Sequence, residues 1–124
     1  MILVDTSIWI NHLRRTDALL ARLLEAGRVL VHPFVIGEVA LGLMRQRKVI
    51  LAALLGLPRS QVATEEEVLG FIERHTLSGQ GVGYIDVHLL AAARLTAGAA
   101  LWTSDRRLHA VAVALGLAMK QDRN

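Results

Sequence analysis

"MILVDTSIWI", residues 1–10, contains a short apolar run that ends in an acid, Asp5. Four apolar residues in a row predict a strand with both faces covered, which is typical of parallel sheets. A carboxylate at the end of such a strand is costly to desolvate unless another group binds it. Ligands of open parallel sheets lie beyond the carboxyl ends of the strands, so Asp5 is a candidate site residue.

Short apolar runs alternate with helical patterns along the rest of the chain. The segments predicted as strands are 2–5, 29–32, 61–64, 100–104 and 117–120. The segments predicted as helices are 17–27, 33–46, 65–75, 84–98 and 105–116. Thr16 is the expected N-cap of the first helix, and Thr64 forms a capping box with Glu67. The alternation predicts an α/β fold, a three-layer α/β/α sandwich with a central, mostly parallel sheet of four to five short strands.

The length and composition limit the class of protein. A chain of 124 residues is the size of one ordinary domain, so we predict a single domain over 1–124. There is no cysteine, which excludes disulfides and thiolate zinc sites and is compatible with a reducing compartment. The apolar runs are well short of the roughly 18 residues that a membrane-spanning helix needs. Because the first residues also lack the features of a secretory signal, we expect a soluble, cytoplasmic protein.

Hydrophobic residues make up 53% of the sequence, a high share for a small domain with proportionally more surface to cover. One segment, VILAALLGL (49–57), is apolar on every side. Such a helix is either buried fully in the core or leaves apolar surface for another chain. The second explanation favours a homodimer or a docked partner.

Three more acids stand at positions that suggest a site. Asp105 follows the predicted strand 100–104 and precedes a helix, whose dipole favours an anion there. Glu38 shares a helical stripe with Val35, and Asp86 shares one with Leu89, so both acids are expected to face inward.

Four acids that meet at one edge of a sheet would repel one another and stay partly protonated near neutral pH. A divalent cation removes this conflict, and oxygen ligands without histidine or cysteine suit Mg²⁺ or Mn²⁺ rather than zinc. Without these four acids, seven acidic residues remain against fourteen lysines and arginines, which gives a net charge of +7. An acidic site in a basic surface suits a polyanionic substrate.

Structural explanations also exist for each acid. Asp105 could cap the helix that it precedes, and Asp5 could be a turn residue that bonds nearby backbone amides. The two helical acids could each pair with a buried arginine, for which Arg45 and Arg94 are candidates.

Four motifs of this chain resemble those of PIN-domain ribonucleases, in particular the VapC-type toxins of toxin–antitoxin pairs. The motifs are VDTSIWI (4–10), GEVALG (37–42), GYIDVHLLAAARL (83–95) and LWTSDRRL (101–108). By this resemblance the metal-site carboxylates are Asp5, Glu38, Asp86 and Asp105. Ser7 and Thr103 match polar positions of the family and would orient ligands or a bound water, although a helix cap or a local turn bond explains either one.

The resemblance also implies an activity and partners. The protein would be a Mg²⁺- or Mn²⁺-dependent endoribonuclease that leaves a 5′-phosphate and a 3′-hydroxyl, with an antitoxin as inhibitor and a homodimeric state. Metal-assisted attack of water on phosphorus suits such a site. We expect Asp5, Asp86 and Asp105 to be direct or near-direct ligands, and Glu38 to act through water or as the base.

Arginines and lysines are the candidates to bind the substrate. They are Arg14, Arg15, Arg45, Arg47, Lys48, Arg106 and Arg107. Arg106 and Arg107 are preferred because they directly follow a site acid. The five histidines are interpreted as non-catalytic, and the segment SGQGVG (78–83) as a plain loop before the helix of Asp86.

Two other function classes stay open. A small metal-dependent phosphohydrolase could use Asp5 as nucleophile, but a haloacid-dehalogenase-like enzyme would need a second aspartate at position 7, where this chain has Ser7. A non-catalytic PIN-like module that binds RNA or protein would not need all four acids, and all four are present.

Overall fold

The computed structural model describes residues 1–120 of the chain. In this part of the chain, three strands and seven helices follow one another. They are β1 (Ile2–Val4), α1 (Thr6–Arg14), α2 (Ala18–Glu25), β2 (Val29–Leu30), α3 (Pro33–Ala40), α4 (Arg47–Leu55), α5 (Glu65–Arg74), α6 (Tyr84–Leu95), β3 (Ala100–Trp102) and α7 (Arg106–Ala114).

The three strands form one parallel sheet in the order β2-β1-β3. Leu3 of β1 pairs with Leu30 on one side and with Leu101 on the other. Parallel neighbours cannot be joined by tight turns, so helices form the connections. The α/β class is therefore confirmed, while the three-layer arrangement stays a prediction. Because β1 is central, its carboxyl end places Asp5 at the middle of the sheet edge.

The predicted strand 61–64 is not formed. A single parallel bridge joins Val31 to Arg59 instead, two residues before that segment. The N–H of Gln61 donates to Oγ1 of Thr96, 2.9 Å away, so it has no part in a strand ladder. The segment then leads into the N-cap of α5. The prediction of four to five strands counted this segment as a full strand.

The predicted strand 117–120 is present only as an isolated bridge between Leu101 and Ala118. Two backbone hydrogen bonds hold it: Leu101 donates to the carbonyl of Leu117 at 2.7 Å, and Met119 donates to that of Leu101 at 2.8 Å. Within the described residues the sheet thus has three strands, extended on each side by one bridge.

Two helices differ from the predictions. Helix α1 was not predicted, because its nine residues begin with two hydroxyl residues and include β-branched and aromatic ones, which have low helix propensity. The predicted helix 33–46 is wrong beyond Ala40, where α3 ends. Gln46 has a left-handed backbone with φ 53°, which interrupts helical hydrogen bonding before α4 begins.

The helix caps confirm one prediction and correct another. Thr64 and Glu67 form the predicted capping box of α5, with bonds of 2.9 and 3.1 Å. The N-cap of α2 is Asp17 rather than Thr16, since the Asp17 carboxylate accepts from Leu20 N at 3.0 Å. Both residue types are good caps, so sequence alone did not separate neighbouring candidates.

Helix α6 has the longest run of buried residues among the described helices, with every residue from Val87 to Ala93 buried. Helix α4 is the opposite case. Its buried residue is Leu54, whereas Val49 is 65% and Leu55 is 57% exposed. The explanation of segment 49–57 as a fully buried core helix is therefore wrong, and this chain alone leaves apolar surface open. Over residues 1–120, no helix combines the length and apolar character needed to cross a membrane.

Candidate metal centre

Asp5 directly follows the central strand, and it is only 6% exposed. It occupies the N-cap position of α1 without making a side-chain cap bond, so the explanation of Asp5 as an amide-bonding turn residue does not hold. Its Oδ2 accepts hydrogen bonds from the hydroxyls of Ser7 and Thr103, each at 2.8 Å. The buried carboxylate is thus oriented by two side chains that come from opposite ends of the chain.

The same two hydroxyls connect the segments that follow β1 and β3. Oγ1 of Thr103 accepts from the Asp105 N–H at 3.0 Å while its own proton goes to Asp5. Oγ of Ser7 accepts from the Ser104 N–H at 3.1 Å. Ser7 and Thr103 therefore set the position of the loop that carries Asp105 relative to the end of β1.

Glu38 lies on α3, which packs against α1. Its Oε1 accepts a hydrogen bond of 2.8 Å from the hydroxyl of Thr6, the first residue of α1. Thr6 was not selected from the sequence as a site residue. The sequence feature that could have identified Thr6 is its position directly after Asp5, in a motif with a second hydroxyl at Ser7.

Asp86 lies in the first turn of α6, where its Oδ2 accepts from the Gly83 N–H at 3.0 Å. The pKa of Asp86 is raised above its ordinary value, first by burial and then by the negative charges of Asp5, Asp105 and Glu38; the Gly83 bond acts in the opposite direction. All three other acids therefore act electrostatically on Asp86. The repulsion expected from the sequence is present in the fold.

Asp105 caps α7 by accepting from the Leu108 N–H through Oδ1 at 3.0 Å. The capping explanation is thus confirmed, but it uses one oxygen of an exposed carboxylate. Arg94 was a candidate to form an ion pair with one of the helical acids. It donates instead to the Leu115 carbonyl at 2.8 Å.

The four acids share one pattern among the described residues: the hydrogen bonds of each carboxylate fall on a single oxygen. Those oxygens are Oδ2 of Asp5, Oε1 of Glu38, Oδ2 of Asp86 and Oδ1 of Asp105. The second oxygen of each is the atom that a cation could contact. In residues 1–120, no three His, Asp or Glu side chains stand close enough to hold a metal ion directly. Four carboxylates that bind a cation partly through water molecules fit Mg²⁺ or Mn²⁺, because Mg²⁺ keeps several of its waters when bound.

Comparison with known proteins identifies the family of this chain. The family model for the PIN domain matches residues 2–114. The chain belongs to the PIN-domain family. It is also 46% identical over 122 residues to proteins named Ribonuclease VapC32 from two strains of Mycobacterium tuberculosis, CDC 1551 / Oshkosh and ATCC 25618 / H37Rv, with 98% of each chain covered. The resemblance of the four motifs to VapC-type PIN-domain ribonucleases is thereby confirmed.

The two preferred arginines of this PIN domain lie in different surroundings. Arg106 lines a groove together with Thr103 and Ser104. Arg107 lies against Gly81 of the loop before α6, where a Cβ on Gly81 would be 2.7 Å from Cδ of Arg107. Consecutive helical residues point about 100° apart, which explains the separation.

Two histidines of the PIN domain are buried, His32 directly before α3 and His88 on α6. Nδ1 of His32 caps α3 by accepting from the Phe34 N–H at 3.0 Å. The ring of His88 packs against Phe34 and Tyr84, with centroids 4.7 Å apart in each pair. Burial, helped by the charges of His88 and Arg59, lowers the pKa of His32 to about 4.

Proposed function

We propose that this chain is a Mg²⁺- or Mn²⁺-dependent endoribonuclease that acts as the toxin of a toxin–antitoxin pair. The relatives that carry the name Ribonuclease VapC32 support this activity over the full length of the match. The observation that carries the metal site is that the charges of Asp5, Asp105 and Glu38 all raise the pKa of Asp86, which burial raises most and the Gly83 hydrogen bond lowers. Four mutually repelling carboxylates are useful to a protein when a cation neutralises them.

Each acid has a proposed role. Asp5, Asp86 and Asp105 hold the cation, through their second oxygens or through waters. A bound Mg²⁺ or Mn²⁺ would supply an acidified water and would neutralise a phosphate oxygen of the RNA. Glu38 accepts the proton of the attacking water, and the bond from Thr6 to its Oε1 holds Oε2 in position for this. The products carry a 5′-phosphate and a 3′-hydroxyl.

The neighbouring polar residues orient the acids and the substrate. Ser7 and Thr103 fix the Asp5 carboxylate by their two hydrogen bonds of 2.8 Å. Arg106 binds a phosphate of the RNA beside the acids. Arg107, the other substrate-binding candidate, lies against Gly81, which favours a role in holding the loop that leads to Asp86.

Exposed apolar residues support the proposed protein partners, which are an antitoxin and a second copy of the chain. Leu41 is 89% exposed, and Val49 and Leu55 on α4 are more than half exposed. Exposed apolar surface of this kind marks protein interaction sites. We further propose that residues 1–124 form one PIN domain and that the protein acts on RNA in the cytoplasm.

The test is cleavage of end-labelled RNAs of defined sequence by the purified protein, in Mg²⁺ and in EDTA. Asp105→Asn removes the charge but keeps an oxygen that can cap α7. Asp17→Asn is the matched control, since Asp17 caps α2 through a bond of the same length, 3.0 Å. We expect Mg²⁺-dependent cleavage by the wild type and by Asp17→Asn, and none by Asp105→Asn. Equal cleavage by Asp105→Asn would contradict the proposed site.

A further inference from the structure

A groove of about 780 Å³ lies beside β3 and α7. Its apolar lining includes Trp102, Val113 and Met119, and its basic lining consists of Arg106, His109 and Lys120. This volume falls in the range of small-molecule sites, roughly 300–1,000 Å³, so a nucleotide can be accommodated.

The charge of the groove is opposite in sign to that of the acid site. None of the residues that line it in the described part of the chain is acidic. Arg106, His109 and Val113 are spaced by three and four residues along α7, so they form one stripe on the helix face toward the groove. A basic and apolar lining of this kind suits a ligand that has both a phosphate and a flat apolar ring.

The groove is continuous with the acid site. Thr103 lines the groove, and its hydroxyl also binds Asp5 and the Asp105 N–H. Ser104 lines it as well and bonds through its N–H to Ser7. A polymer whose phosphate lies at the acids would therefore reach the groove with its adjacent nucleotide.

We propose that this groove is a nucleotide subsite, which holds the RNA nucleotide next to the phosphate that is cut. Arg106 and Lys120 bind its phosphate, and the base packs against Trp102, Val113 and Met119. A base can enter only when it is unpaired, so the subsite selects single-stranded RNA. The inference rests on the proposed ribonuclease function for its substrate class.

The first test measures binding without cleavage. A short fluorescein-labelled single-stranded RNA is titrated with the whole protein in EDTA, and fluorescence anisotropy reports binding. The double variant Arg106→Gln/Lys120→Gln is compared with Arg22→Gln/Arg74→Gln, which removes the same charge at exposed positions outside the groove. We expect the groove variant to bind about tenfold more weakly and to lose roughly 0.7 from its salt slope, since the neutralisation of one phosphate on a single strand is lost.

The second test identifies the base contact. Adenosine 5′-monophosphate should shift the NMR signals of the Trp102 indole and the Met119 methyl group, and inorganic phosphate should leave them in place. Equal shifts with inorganic phosphate would overturn the nucleotide subsite, as would equal binding by the two double variants.

Cleavage assays separate this inference from the proposed function. If the wild type and the groove variant cut RNA in Mg²⁺ with the same KM, the subsite is wrong and the ribonuclease proposal stands. If no protein cuts RNA but the groove variant still loses RNA binding, the groove is a nucleotide-binding site, and the ribonuclease proposal fails.

Discussion

The hydroxyl of Thr103 donates a 2.8 Å hydrogen bond to Oδ2 of Asp5, a residue 98 positions earlier in the chain. Thr103 is 7% and Asp5 is 6% exposed, so water does not easily replace this bond. The same hydroxyl accepts from the Asp105 N–H. One side chain therefore sets the relative positions of two of the proposed metal ligands.

Replacing Thr103 tests that relationship. Thr103→Val keeps the shape but removes the hydroxyl, which leaves the Asp5 carboxylate with one donor and the Asp105 N–H without its acceptor. We expect the free energy of unfolding to fall by about 1–3 kcal/mol and cleavage to fall by roughly 10–100-fold. Urea denaturation and initial cleavage rates measure the two effects. Thr103→Ser retains the hydroxyl and should keep most of both; a fully active Thr103→Val would show that the bond has no role.

Metal binding should stabilise the native protein, because only the folded chain brings the acids together. At a concentration 100 times its Kd, Mg²⁺ or Mn²⁺ would add about 2.7 kcal/mol, seen as a higher Tm in thermal unfolding. Asp5→Asn should abolish this response, while Asp17→Asn on the cap of α2 should keep it. A wild type whose Tm ignores both metals would instead favour a non-catalytic binding module.

The buried His32 predicts a specific dependence of stability on pH. Burial first, and then the charges of His88 and Arg59, lower its native pKa to about 4 from 6.5. Between these values the unfolded chain binds a proton that the native state does not, so the free energy of unfolding falls as the pH falls. The contribution of His32 to the free energy of unfolding is complete above pH 6.5 and is lost by about pH 4. The free energy of unfolding differs by about 3 kcal/mol between these two conditions because of this group.

His32→Asn keeps an oxygen that can cap α3 but does not titrate in this range. We therefore expect the plot of unfolding free energy against pH to be flatter for this variant than for the wild type. Parallel curves for wild type and His32→Asn would show that His32 does not cause this dependence of stability on pH.

Two glycines of the loop before α6 form a matched pair. Gly79 and Gly81 have nearly equal left-handed φ values, 78° and 79°, but only at Gly81 would an added Cβ meet Arg107. Gly79→Ala should cost roughly 1–2 kcal/mol for its backbone alone. Gly81→Ala should cost slightly more in urea denaturation, because it displaces the flexible end of Arg107. Adding Arg107→Ala should remove that excess; if Gly81→Ala costs no more than Gly79→Ala, the contact contributes nothing.

The features that sequence predicted well are those decided by neighbours in the chain. The capping box of Thr64 and Glu67 lies within one helical turn, and the strand before Asp5 follows from consecutive apolar residues. The predictions that failed needed distant partners. The segment 61–64 has strand-like residues, but the side chain of Thr96 takes the Gln61 N–H. Helix α3 ends at Ala40, and the separate helix α4 begins only after Gln46, which has a left-handed backbone.

By itself the sequence determined the α/β class and offered four acids as candidate site residues, because burial periodicity and the cost of desolvating a carboxylate are local properties. Only the tertiary structure decided that Thr6 holds Glu38, that Thr103 holds Asp5, and that Arg106 and Arg107 lie in different surroundings. Hydrogen bonds between residues 32 and 98 positions apart depend on how the helices cross the sheet. That geometry is set by the packing of the whole core, to which each segment contributes only a part.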